Sequence, residues 1–86
     1  MYNKIEIYTG PICIYCDRAK DLLVNKGLEF IEIELSKYPE RREEMLSRTG
    51  GKKTVPQIFI NNQLIGGFRE LRNLNSSGEL NKILKL

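Results

Sequence analysis

Histidine is absent from this 86-residue chain. With it go the usual general base and the commonest metal ligand, so hydrolytic and zinc-enzyme chemistries lose most of their residues at once. Long apolar runs are missing too, and nothing approaches the ~20 consecutive residues that a membrane span needs. The stretch Met1-Tyr2-Asn3-Lys4-Ile5-Glu6-Ile7 lacks the apolar segment and small-residue cleavage site of a secretory signal. A cytoplasmic protein with no membrane partner is the expectation. There is also no block of one charge sign: the net charge of +3 comes from 14 basic and 11 acidic residues mixed along the chain. That argues against a nucleic-acid partner. Arg41-Arg42 and Lys52-Lys53 read first as solvated surface that can also draw in a small anion. No linker, repeat or low-complexity tract appears, so one domain over residues 1–86 and a monomer are expected. Cysteine is scarce, with only Cys13 and Cys16, and any chemistry should be sulfur chemistry.

What is present falls into short periodic segments. Lys4 to Thr9 alternates Ile5 and Ile7 with Glu6, a strand pattern that Gly10-Pro11 stops. From Cys13 onward Cys16, Ala19, Leu22 and Leu23 share one helical face, and Gly27 supplies the stop. Glu29 to Leu35 returns to alternation through Phe30 or Ile31, Ile33 and Leu35. Strand, helix and strand joined by short loops imply a parallel crossover. A short one-sided helix follows, with Pro39 in its first turn, Met45 and Leu46 on its apolar side and Gly50-Gly51 at its end. Gln57 to Ile60, Asn61-Asn62 and Gln63 to Ile65 form a hairpin signal. After Gly66-Gly67, Leu71 and Leu74 have helical spacing, and Ser76 to Glu79 reads as a capping box for a last helix holding Leu80, Ile83 and Leu84. The order predicts a three-layer α/β domain: a four-stranded mixed sheet, βαβ then ββα, flanked by helices.

Two cysteines placed at random over this length would fall three apart in only about 2% of arrangements, so the spacing wants a reason. A metal site held by this chain alone offers two thiolates and no imidazole, so no metal is expected. A structural disulfide between such near neighbours closes a very small loop and removes little unfolded-state entropy. A redox centre uses every feature of the stretch, because a strand ending in Gly10-Pro11 aims the unpaired amides of the next helix start at Cys13. A free thiol with pKa ~8.5 is only about 3% ionised at pH 7, and lowering that by two units requires ~2.7 kcal/mol. A helix dipole contributes roughly 0.3–1 kcal/mol, or ~2 when partly buried, so hydrogen bonds must supply the rest. The amides of Tyr15 and Cys16 and the Cys16 thiol are the available donors. Cys13 is then the attacking sulfur, and Cys16, one turn inside on the Ala19/Leu23 face, the resolving one.

The segments "EIYT", "C-x-Y-C-x-R-A-K-x-L-L", "TVPQIFI" and "IGG", spread from residue 6 to residue 67, resemble a dithiol glutaredoxin of the thioredoxin-like fold, and the resemblance extends over nearly the whole chain. The resemblance implies a glutathione-dependent thiol–disulfide oxidoreductase, with glutathione as cosubstrate. Its targets would be protein–glutathione mixed disulfides and some protein disulfides, such as that of ribonucleotide reductase. It places Tyr15 beside the bound tripeptide and Thr54, Val55 and Pro56 in the turn that pairs with the cysteinyl unit, the Val55-Pro56 bond being cis. Gly67, Phe68 and Arg69 would receive the γ-glutamyl carboxylate at a helix start. Three departures stand out. Ile14 occupies the place of a common proline, and Gly10 that of a common lysine, so Arg41, Arg42 or Lys53 would have to replace that charge. Arg69 stands where the family has an acid, with Glu70 one step later. Three other readings remain open: an electron donor reduced by a thioredoxin-type reductase, an iron–sulfur carrier in which two protomers and two glutathione thiols share a cluster, and a peptide-binding module with inert cysteines.

Overall fold

The computed structural model describes residues 2–86. Strands β1 (Ile5–Thr9), β2 (Ile31–Glu34), β3 (Gln57–Ile60) and β4 (Gln63–Gly66) form one sheet in the order β2-β1-β3-β4. β1 runs parallel to β2 and antiparallel to β3, and β3 and β4 are the two arms of a hairpin. The hairpin turn is Asn61-Asn62, with φ of 51° and 69°. Two consecutive left-handed residues make the turn whose twist matches the flanking strands, and asparagine tolerates that conformation better than most residues.

Helix α1 (Ile14–Asn25) lies on one face of the sheet together with α3 (Phe68–Ser77) and α4 (Glu79–Leu84). Ile5, Ile7, Ile58 and Ile60 on the sheet meet Ala19, Leu23, Leu71, Leu80 and Leu84 on the helices there, and all are buried. The opposite pleat of the same strands presents Tyr8, Phe59 and Ile33, which with Leu35 and Met45 of α2 (Arg42–Thr49) make a second, smaller core. The expected three layers and four-stranded mixed sheet are therefore present.

β1 is covered on both faces. All five of its residues are buried. Glu6, 7% exposed, accepts hydrogen bonds from Arg48 Nη2 at 2.9 Å and Nη1 at 3.2 Å. The Arg48 guanidinium lies 3.9 Å from the centre of the Phe59 ring and donates to the Tyr8 hydroxyl at 2.9 Å. Tyr8 in turn donates to Glu44, which is also bound by Arg41 at 2.8 Å. A charged chain thus fastens α2 to the sheet where its apolar stripe, chiefly Met45, is too narrow to do so alone.

Two boundaries differ from expectation. The segment after Pro39 opens as a single 3-10 turn, Pro39–Arg41, and α2 proper begins at Arg42. The last helix does not start from a Ser76–Glu79 box, because α3 continues through Ser77 and is stopped by Gly78 at φ 84°. Ser76 is still helical and so cannot cap a new helix. Ser77 instead donates to the Leu74 carbonyl at 3.2 Å and accepts from the Glu79 amide at 3.3 Å.

Candidate functional site

The strand order brings three connections to one edge of the sheet. β1 ends there, antiparallel β3 begins there, and β4 ends there, with Gly66 opposite Ile58. The segments at that edge are Gly10 to Cys13, Thr54 to Pro56 and Gly67 to Arg69. They are the three regions that the sequence singled out.

Cys13 caps α1 with extended backbone (φ −126°, ψ 103°), and its Sγ accepts the Cys16 amide at 3.1 Å. Its side chain occupies the position of the serine or aspartate oxygen in an ordinary N-cap. The Tyr15 amide was also expected to donate, but it makes no such bond among the described residues. A sulfur at the cap aligns with the next free amide one helical turn on. Cys16 is 1% exposed, on the buried face with Ala19 and Leu23, whereas Cys13 is partly exposed. The two sulfurs are joined as a disulfide, with Cα atoms 5.2 Å apart. Cys13 Sγ also lies 3.9 Å from the Val55 carbonyl oxygen.

The Val55-Pro56 bond is cis. Gln57 Nε2 braces this turn by donating to the Thr54 carbonyl at 3.0 Å and lies 3.3 Å from Thr54 Oγ1. Gly10 passes close to the same turn: a Cβ at that position would lie 3.3 Å from Val55 Cγ2. Between Gly10 and Cys13, Ile12 is fully exposed at φ 48°. Ile14 and Tyr15 are also exposed, and Tyr15 stacks on Phe68 with ring centres 6.1 Å apart.

Beside the cysteines runs a groove of about 550 Å³. Tyr15, Thr54, Val55, Pro56, Gly67, Phe68 and Arg69, the seven residues expected at a ligand site, all line it. Lys52, Gln57, Glu70 and Arg72 line it too, none of them among the residues expected at the ligand site. Arg72 was within reach of the sequence, since it follows Arg69 by three residues and shares its helical face. Lys52 was not, because a loop sets which of two adjacent lysines turns inward. The charges expected to replace the missing lysine are placed otherwise: Arg41 is bound to Glu44 on α2, and neither Arg42 nor Lys53 lines the groove.

Glu70 is held by its own chain. Its Oε1 accepts the Gly67 amide at 2.8 Å and its Oε2 accepts Arg69 Nε at 3.2 Å. The Gly67 amide, with Arg69 assisting against some burial, holds its carboxyl below the usual carboxylate range. Gly66, at φ 120°, leaves room for this carboxylate, as a Cβ there would lie 2.9 Å from Glu70 Oε1.

The glutaredoxin family profile matches residues 5–65. Glutaredoxin 3 of Escherichia coli strain K12 is 48% identical over 82 residues, which are 95% of this chain and 98% of that protein. The solution structure of a Brucella melitensis glutaredoxin is 49% identical, covers 95% of this chain and 88% of that one, and superposes with a TM-score of 0.79. The crystal structure of a buckwheat glutaredoxin–glutathione complex is 29% identical, covers 96% of this chain and 77% of that one, and gives 0.85. The sequence profile, the fold and the Cys13–Cys16 pair at the head of α1 agree: the chain belongs to the glutaredoxin family.

Proposed function

We propose that the protein is a glutathione-dependent thiol–disulfide oxidoreductase in which Cys13 is the nucleophile and Cys16 the resolving thiol. The observation that carries this reading is the hydrogen bond from the Cys16 amide to Cys13 Sγ at the first turn of α1. A donor fixed there, together with the helix dipole, stabilises negative charge on that sulfur in the reduced form. The difference in exposure supports the division of labour, because a substrate disulfide can approach Cys13 but not Cys16.

In the reaction, the Cys13 thiolate attacks the glutathione sulfur of a protein–glutathione mixed disulfide. That S–S bond breaks, the protein leaves as a thiolate that takes up a proton, and Cys13 becomes glutathionylated. A second glutathione thiolate then attacks the bound glutathione sulfur, giving glutathione disulfide and free Cys13. Alternatively, Cys16 attacks Cys13 Sγ, releases glutathione and forms the Cys13–Cys16 disulfide seen here. Two further glutathione thiols reopen it. In the groove, the backbone of Val55, the stacked Tyr15–Phe68 pair and the amides at the start of α3 are the groups that would hold the tripeptide. Glutathionylated and disulfide-bearing proteins of the cytoplasm are the proposed partners.

The test uses Cys13→Ser and Cys16→Ser proteins incubated with oxidised glutathione and then assayed on a glutathionylated peptide. Cys16→Ser should gain the mass of one glutathione and keep turning over the peptide; Cys13→Ser should do neither. Complete loss of turnover in Cys16→Ser would refute the glutathione route, which needs only one attacking thiol.

A further inference from the structure

The charges around the groove are unbalanced. Lys52, Arg69 and Arg72 line it against one carboxylate, Glu70. That carboxylate is engaged by its own chain, on the Gly67 amide and Arg69 Nε. Lys52 and Arg72 have no carboxylate within ion-pair distance among the described residues. Arg69 remains 78% exposed. The amides that open α3, a helix of ten residues, add positive potential at the same end. An independent feature is Gln57, which lines the groove at 3% exposure and whose Oε1 is the only buried side-chain polar atom without a partner among the described residues. Such an atom calls for a donor.

Resting on the thiol–disulfide reading above, we propose that the groove selects its carrier thiol by charge. It favours a thiol whose tail is anionic and has no free ammonium over one, like glutathione, whose tail carries an ammonium beside its carboxylate. An ammonium set among three cations and one already engaged carboxylate is repelled on balance, and removing it raises the net attraction for the anionic tail. The chemistry is that of a single turnover: the Cys13–Cys16 dithiol gives two electrons to a mixed disulfide R–S–S–X. It yields R–SH, X–SH and the Cys13–Cys16 disulfide, the two thiol protons passing to the two products.

The experiment measures the single-turnover rate of the fully reduced protein with one cysteine peptide. The peptide is disulfide-linked in turn to glutathione, N-acetylglutathione and coenzyme A. The N-acetylglutathione adduct should react roughly 3- to 10-fold faster than the glutathione adduct at low salt, the size expected from two or three exposed charge contacts. That advantage should shrink at about 0.5 M salt, where screening is strong. Arg69→Glu should invert the preference, an outcome that a merely structural role for Arg69 does not produce. Coenzyme A separates the sources of negative charge: a rate above that of the N-acetylglutathione adduct assigns the site to phosphate, and a rate below it to carboxylate. A glutathione adduct that reacts as fast as the acetylated one, or a preference that survives Arg69→Glu, overturns the proposal. A protein that reduces a carrier-free peptide disulfide but none of the three adducts instead removes the carrier-thiol reading on which the proposal stands.

Discussion

Replacing Arg48 by methionine tests the claim that a buried charge chain, and not apolar packing, holds α2 on the sheet. Methionine keeps an unbranched stem of similar reach over Phe59 but removes the guanidinium 3.9 Å above that ring. Glu6, 7% exposed, would lose both of its hydrogen bonds from Arg48 and keep only Lys4 at 3.9 Å. Breaking a buried ion pair from one side costs about 3–5 kcal/mol. Here the Arg48 side chain is 23% exposed and Glu6 retains a distant cation, so about 2–4 kcal/mol is the expected loss. A domain of this size has roughly 5–10 kcal/mol in total, so the variant should fold but unfold at clearly lower urea concentration. Most of that cost is the stranded Glu6 charge. The double variant Glu6→Gln/Arg48→Met, which removes that charge, should therefore recover about half of it or more. Equilibrium urea unfolding of the two variants and the parent checks this. A single variant within about 0.5 kcal/mol of the parent, or a double variant less stable than the single, would refute the reasoning.

Three further outcomes follow from the loops and carboxylates. Ile12 is a β-branched residue at φ 48° with its side chain wholly in solvent. Ile12→Gly should therefore raise stability by about 0.5–1 kcal/mol, strain relief exceeding the added chain entropy, and a lowered urea midpoint would contradict it. Gly66→Ala combines φ 120° with a Cβ 2.9 Å from Glu70 Oε1. It should cost about 1–3 kcal/mol and weaken turnover with glutathionylated peptide, by pushing Glu70 off the Gly67 amide; unchanged stability would contradict the geometry. Acid should lower the stability of the protein through three carboxyls held below their usual range. Arg41 and then the Tyr8 hydroxyl lower Glu44, the Gly67 amide lowers Glu70, and at Glu32 burial pushes upward but is outweighed by Thr9 and Lys20. Each is less readily protonated folded than unfolded, so its contribution is complete above about pH 5 and is lost as pH falls through the lowered folded values. Urea midpoints that stay constant from pH 6 to pH 3 would refute it.

The extent to which the sequence foretold this structure divides along a physical line. The elements were readable because each apolar stripe has its own period: Ala19 and Leu23 on α1, Ile58 and Ile60 on β3, Leu80 and Leu84 on α4 all face one core. The redox pair was readable because its spacing and the preceding Gly10-Pro11 are local. Long-range polar pairings were not. Glu6 and Arg48 are 42 residues apart, and no pattern within either segment marks them as partners or shows that β1 is covered on both sides. The same holds for Lys52 against Lys53 and for Glu70, whose role depends on the backbone at Gly66 and Gly67.

Where the site lies, by contrast, needs no side-chain detail. Once β1 and β3 pair antiparallel and β3 and β4 form a hairpin, the end of β1, the start of β3 and the end of β4 must share one edge. Two of these ends launch the helices α1 and α3, whose first amides then face the same space from two sides. Positive potential at that edge is thus set by topology, before any lysine or arginine is added. What the individual sequence contributes is how that potential is trimmed. Cys13 Sγ takes the free amide at one helix start, and Glu70 partly neutralises the other. Lys52, Arg69 and Arg72 restore the positive balance between them. Charge at this edge therefore divides into a part that any chain of this topology shares and a part that these three residues can vary without touching the core.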